Sequence, residues 1–369
     1  MGAGCERDGC TGEETWTAEA QFRGERMSEK PKVAWYWCAS CGGCEESFVD
    51  LAERLLKVFE AVDIVFCPVA MDFKREDVEK LPDGSITVAL INGGVRLKEH
   101  EEMVKLLRRK SKIVIAYGAC SAWGGVPGLA NLYNLDEVIE RKYLEVPTIE
   151  NPKEVLPTKK TILNIPEAKI KAELELPEPL PTLLPLEKVV DVDYYIPGCP
   201  PTPDVFWNAL QALLSGNLPP KGAVVGASQR ALCDECSLNE TKPEKLLIKE
   251  FKRPDKAKPE PNKCLLSQGF LCMGPVTRGG CTALCIKANM PCTGCFGLLD
   301  GIVDYGGKAI SYFGSILDYS PMEDKEIKKA FESIPDWIGT IYRYSLPAAK
   351  LSNKAGLKKY KLIKEVVEI

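Results

Sequence analysis

The sequence predicts an α/β protein: a doubly wound parallel sheet followed by a smaller, irregular, cysteine-rich domain. Three observations carry the prediction. Apolar, β-branched runs alternate with amphipathic helical patterns from residue 32 to about 218, the pattern of a parallel sheet covered on both faces. Eight cysteines then crowd into residues 231–296, where periodic apolar patterning nearly vanishes. Finally, 369 residues suggest two or three domains rather than one.

The first 30 residues carry neither an apolar stretch nor an adjacent arginine pair, so no secretory or twin-arginine signal is expected. They read as a flexible tail, with Met27 as an alternative start and the cytoplasm as the expected location. "KVAWYW" then reads as a buried strand. "EESFVDLAERLLKVFEAV" follows as a helix, with Phe48, Leu51, Leu55, Val58, Phe59 and Val62 at helical spacing. "DIVFCPVA" and "SITVALING" read as strands, "KEHEEMVKLLRR" as a helix and "SKIVIAYGAC" as a strand. His100, the single histidine, reads as a solvated helix position.

Between Tyr143 and Val190 eight prolines and little periodicity indicate a functional or partner-facing excursion without regular structure. "VDVDYYIPGCP" reads as the last strand. "TPDVFWNALQALLSG" is a helix, capped by Thr202 or Asp204 and stopped at Gly216. Residues 241–263 read as a solvated connection. The expected division is a tail at 1–30, a sheet domain at 31–220, a metal-stabilised domain at 221–300 and a helical extension at 301–369.

A net charge of −4 argues against nucleic acid or an anionic membrane as partner, and no apolar run is long enough to span a bilayer. The 16 cysteines decide the chemistry. In a large chain with a real core and no export signal, thiolate ligation of metal is a better reading than disulfides. Cys41 and Cys44 follow the first strand, Cys120 ends another and Cys199 a third. Strand carboxyl ends share one edge of an open α/β sheet, so four thiolates should meet there and can hold a 4Fe–4S cluster. Cys38 competes with Cys41 for that role. Cys233, Cys236, Cys264, Cys272, Cys281, Cys285, Cys292 and Cys295 divide into two further sets of four. Four-cysteine zinc sites, and with them a zinc-stabilised scaffold, are the competing reading. Cys67 reads as a buried small hydrophobe, and Cys5 and Cys10 have no assigned role.

"CGGCEESF", "YGACSAWGGVPGL", "IPGCPPTP" and "PCTGCFG" together resemble the small, electron-transferring subunit of nickel–iron hydrogenases. The match is nearest the cytoplasmic, methyl-viologen-reducing (deazaflavin-non-reducing) group of methanogens and related anaerobes. It runs from about Lys32 to Asp300. The resemblance implies a flavodoxin-like first domain and an iron–sulfur second domain. It implies a proximal 4Fe–4S set of Cys41, Cys44, Cys120 and Cys199, with Cys38 spare. The implied distal set is Cys233, Cys236, Cys264 and Cys272, and the medial set Cys281, Cys285, Cys292 and Cys295. The fourth medial cysteine implies 4Fe–4S where exported relatives hold 3Fe–4S, for three 4Fe–4S clusters in all. Glu46 matches a position near proton transfer, beside the plainer reading of a carboxylate at a helix amino terminus. The implied partners are a large subunit holding the nickel–iron site, a small iron–sulfur linking subunit and heterodisulfide reductase. A deazaflavin-reducing hydrogenase is the nearest variant.

Overall fold

Five apolar runs pair into one sheet because each buries side chains on both faces. They are β1 (Lys32–Trp37), β2 (Asp63–Phe66), β3 (Ile86–Asn92), β4 (Ser111–Tyr117) and β5 (Tyr194–Ile196), in the order β2-β1-β3-β4-β5, every pairing parallel. That is the flavodoxin order, and the expected fold class holds. The computed structural model describes residues 30–320 and 323–350, and the backbone of 364–368. Pro31–Ile369 form one compact unit. The expected tail, with Cys5, Cys10 and Met27, lies outside the described residues.

The period-two alternation of a strand sends neighbouring side chains to opposite cores. Ala34, Ala89, Ile91, Val114 and Ala116 lie in one, and Trp35, Val88, Leu90, Ile115 and Tyr117 in the other. Each large apolar side chain so buried contributes about 1.5–3 kcal/mol relative to exposure.

The helices close both faces. The single helix expected after β1 is two, α1 (Gly43–Val49) and α2 (Arg54–Ala61). Ala52 between them takes a left-handed φ of 50°, through which no α-helix can run. The break lets Leu51 and Val58 both reach the core and leaves Phe59 exposed. The helix α3 (Lys98–Lys110) ends in Arg108, Arg109 and Lys110, whose charges complement the carboxyl end of the helix dipole. His100 on α3 corrects the expectation of a solvated position. It is half-buried against Tyr36, and burial lowers its pKa to about 4. A short helix, α4 (Gly118–Trp123), follows β4. After β5, α5 (Pro203–Ser215) is capped by Thr202, whose hydroxyl accepts from the Val205 amide at 3.4 Å. Gly216 stops it at a φ of 68°, as expected.

Two connections differ from expectation. The proline-rich excursion contains a hairpin, Thr158–Ile165 antiparallel to Ile170–Glu175, joined in parallel by Lys364–Glu368. Short alternating stretches between its prolines are enough for edge pairing. Its end is packed rather than free, since Leu180, Leu183 and Leu186 are buried. The 241–263 connection is likewise not all solvated: Ile248 and Phe251 anchor it in a third apolar core.

That third core belongs jointly to the cysteine-rich segment and the carboxyl-terminal helices α6 (Tyr305–Ile316), α7 (Asp324–Glu332) and α8 (Trp337–Ile341). Phe251 makes edge contacts with Phe313 and Trp337. The cysteine-rich segment shows little periodicity because it contributes apolar residues singly, from turns, to a core that the helices complete.

Candidate metal centres

The carboxyl ends of β1, β4 and β5 deliver the first group of thiols. Cys41 sits in the turn after β1 and Cys44 in the first turn of α1, where its sulfur lies 3.9 Å from the Tyr117 carbonyl at the end of β4. Cys120 lies within α4, and Cys199 follows β5. The Ala119 amide donates to the Gly198 carbonyl at 2.7 Å, tying the two loops together. Trp35, Phe48, Tyr117 and Phe206 pack on one another, tilted or edge to face, in the core that also holds Cys44.

Burial raises the Cys44 thiol far above its ordinary range, and the charges of Cys120, Glu45, Cys199 and Cys41 add to it. Burial pushes Cys120 up to about 12, helped by Cys199 and Cys41. Cys199 is raised by burial and by Cys41. Cys38 does not join them. It is buried in the core on the opposite face of the sheet, and burial alone raises its thiol. Cys67 is buried beside the sheet, as expected of a small hydrophobe. Glu46 is exposed in the first turn of α1.

The glycine flanking β4 is dictated by sulfur. A Cβ at Gly118, which has a φ of 81°, would stand 2.5 Å from the Cys44 sulfur. No side chain can be added there without displacing the thiol.

The second group surrounds a space. Cys233, Cys236, Cys264 and Cys272 line a small cavity of about 20 Å³, together with Leu265, Leu266 and Lys242. Burial raises Cys233 to about 12, the Lys242 ammonium pulls against it, and the other three thiols push it up. Cys272 rises to about 11 through burial, against the lowering effect of the Gly274 and Cys292 amides.

The third group joins the other two. Burial raises Cys295 to about 12, Cys281 and Cys285 add to it, and the Cys199 amide of the first group opposes it. Cys281 is raised by burial, with contributions from Glu235 and Cys285. Cys292 is raised well above the ordinary range by burial and by Cys272 and Cys295. Its amide donates to the Cys272 sulfur of the second group at 3.3 Å. Cysteines of the third group thus touch the first at Cys199 and Cys295, and the second at Cys272 and Cys292.

None of the fourteen described cysteines is in a disulfide. Among the described residues no three His, Cys, Asp or Glu side chains converge on a single metal-ion position. Thiols this buried are costly to ionise unless positive charge replaces the proton. An iron–sulfide group supplies that charge within the space, so the residues present fit such a group.

Sequence reasoning missed four polar residues at the third group. The Thr277 hydroxyl lies 2.7 Å from the Tyr305 hydroxyl, and the Thr293 hydroxyl 3.0 Å from that of Tyr344. Thr293 stands between Cys292 and Cys295, but nothing in the sequence announces a partner 51 residues away.

Comparison with known proteins adds the following. Residues 41–213 match the family described as NADH ubiquinone oxidoreductase, 20 Kd subunit. The iron-sulfur subunit of the F420-non-reducing hydrogenase of Archaeoglobus profundus is 42% identical over 88% of this chain and 98% of its own. The corresponding F420-non-reducing hydrogenase chain of Methanothermobacter marburgensis is 38% identical over 89% and 98%. A crystal structure of an NAD+-reducing [NiFe]-hydrogenase in the H2-reduced state aligns with a TM-score of 0.42 and 33% identity, covering 52% of this chain and 94% of that one.

Proposed function

The chain belongs to the family of F420-non-reducing hydrogenase iron–sulfur subunits, small subunits of the nickel–iron hydrogenases, and on that premise we propose that it conducts electrons through three 4Fe–4S clusters. The observation that carries this reading is the succession of thiols, four, four and four, meeting at Cys199–Cys295 and at Cys272–Cys292. In this reading Cys41, Cys44, Cys120 and Cys199 hold the proximal cluster. Cys281, Cys285, Cys292 and Cys295 hold the medial cluster, and Cys233, Cys236, Cys264 and Cys272 the distal one. Bound there, each cubane supplies a one-electron carrier linking H2 oxidation on a large subunit to an acceptor protein.

The residues of this chain do the rest. The aromatic group behind Cys44 excludes water and lowers the local dielectric. Gly118 leaves room for sulfur. The amide of Cys292 donates to Cys272 across the medial–distal junction. Four thiols in the medial set argue for 4Fe–4S in the middle position.

The proximal group opens on one side. Cys41 and Cys199 are exposed, and the Trp37 indole, 40% exposed, lies beside Gly42. An aromatic at the rim of exposed ligands suits coverage by a large subunit that carries the nickel–iron site. Glu46 stands in the same turn as Cys44 and is our candidate for proton transfer there. A small iron–sulfur linking subunit and heterodisulfide reductase are the acceptors we propose, and the cytoplasm the location. Among the described residues no helix is long and apolar enough to cross a membrane.

Anaerobically purified complex placed under H2 tests this reading. A broad brown absorption that bleaches under H2 and returns with an oxidised viologen dye is expected. A colourless chain carrying zinc would overturn it.

A further inference from the structure

The hairpin in the proline-rich excursion ends in a strand edge left open. Thr158–Ile165 holds the middle of a three-stranded sheet, with Lys364–Glu368 on one side and Ile170–Glu175 on the other. Among the described residues no strand pairs with the outer side of Ile170–Glu175. Every residue of that strand except Ala172 is exposed.

The hydrogen bonds of the hairpin decide which backbone groups face outward. The Leu176 amide donates to the Lys159 carbonyl at 3.0 Å, one step beyond the Glu175–Lys160 pair. Bonded and non-bonded positions alternate along an antiparallel pair. Ile170, Ala172 and Leu174 therefore bond inward to the neighbouring strand, and Lys171, Glu173 and Glu175 aim their amides and carbonyls outward. Side chains alternate with the same period. Ile170, Leu174 and Leu176, with Ile165 opposite Ile170, put four exposed apolar side chains on one face. The other face carries Lys171, Glu173 and Glu175, where the Lys160 ammonium bridges the two carboxylates at 2.6 and 2.7 Å. An open edge beside an apolar face is a template for another strand.

The order of charges indicates which strand fits. Lys171 precedes Glu173 and Glu175, so the strand is cationic at one end and anionic at the other. Turned antiparallel about a two-fold axis through Ala172, it meets its own copy with Lys171 opposite Glu173 twice and Ile170 opposite Leu174 twice. Alanine faces alanine at the axis. Lys171 and Glu173 both bond outward, so ladder and charge agree on this register. An axis at Lys171, Glu173 or Leu174 would set like charges opposite each other, which destabilises a pair.

We infer that Ile170–Glu175 pairs antiparallel with the same strand of a second copy of this chain, joining two hairpins into one sheet with a continuous apolar face. The contact is isologous, each copy offering the same patch to the other. Six residues from each copy make less than a standard interface of about 1,600 Å², so the doubling depends on concentration. The inference is independent of the cluster content.

The test weighs anaerobically purified complex by sedimentation over a range of concentrations, with hydrogen exchange read on the same samples. Wild-type complex should double in mass as concentration rises, and the outward amides of residues 171, 173 and 175 should gain protection as it does. Lys171→Pro removes only an outward amide, so the hairpin ladder survives and the doubling should be lost. Lys171→Glu turns two attractive pairs repulsive and should raise the concentration of half-doubling about tenfold or more. The swap Lys171→Glu with Glu173→Lys exchanges the two charges, leaves Glu175 to hold Lys160, and should restore the doubling. Wild-type complex that never doubles overturns the inference, as does doubling that both single variants leave untouched or a swap that fails to recover. Protection of those amides in a complex holding one copy of this chain assigns the edge to a different subunit and overturns the inference too.

Discussion

Replacing Gly118 by alanine tests whether the fold is built around the Cys44 sulfur. The new Cβ would stand 2.5 Å from that sulfur, with the Gly198 carbonyl and Pro201 at 3.5 and 3.6 Å, which is ordinary contact. The collision is therefore with sulfur alone. Restoring contact at 3.4 Å demands a retreat of about 0.9 Å, beyond the roughly 0.5 Å that a preorganised site tolerates. Two costs add: about 1–2 kcal/mol for an L-residue at a left-handed φ and about 1–3 kcal/mol for overpacking. Gly84→Ala isolates the first. Gly84 has a φ of 69° and nothing within 4 Å of its would-be Cβ.

The assay is denaturant unfolding of anaerobically prepared chain, with iron counted per chain. Gly84→Ala should lose about 1–2 kcal/mol and keep its iron. Gly118→Ala should lose about 2–5 kcal/mol and shed about a third of its iron, the proximal share. Equal stability and equal iron in the two variants would refute the reasoning.

Other outcomes follow from the same geometry. Cys120→Ala should remove one cluster's signal and abolish H2-dependent dye reduction, as measured by paramagnetic resonance and viologen assay. Cys38→Ser, on the opposite face of the sheet, should keep full iron while a buried hydroxyl costs about 1–3 kcal/mol; loss of a cluster would show that Cys38, not Cys41, is the ligand. Phe313→Ala should destabilise the third core by about 3–5 kcal/mol and, because that core is shared, loosen the cysteine-rich segment and α6 together in hydrogen exchange. His100 should make stability depend on pH. Its folded pKa of about 4 lies below the unfolded value near 6.5, so the unfolded chain takes the proton first. Stability is then full above about pH 6.5 and falls as pH drops toward 4, and His100→Gln should flatten that part of the profile.

The sheet was legible because its signal is local. Each of the five strands is a short apolar run, and the split that sends Ala34 and Trp35 to opposite cores follows from strand geometry once the run is a strand. Strand boundaries were less legible: "DIVFCPVA" stops at Phe66 because Pro68 cannot donate to a ladder. The helix break at Ala52 left no trace, since left-handed φ at a non-glycine residue is imposed by packing. His100 was misread because helical periodicity does not report what packs against it, here the edge-on ring of Tyr36. At the site, the thiols were legible as spacing, and the sheet topology supplied the convergence of Cys41, Cys44, Cys120 and Cys199. The junctions at Cys199–Cys295 and Cys272–Cys292 were not legible, because they depend on how two irregular loops pack. Thr277 and Tyr305 are separated by 28 residues, and only the third core brings them together.

Native mass measurement of the full chain, isolated without oxygen, tests the central claim most directly. The account predicts the 40.7 kDa polypeptide plus about 1.05 kDa, the mass of three cubanes. A bare polypeptide, or one heavier by only about 0.13 kDa as two zinc ions would make it, contradicts the account.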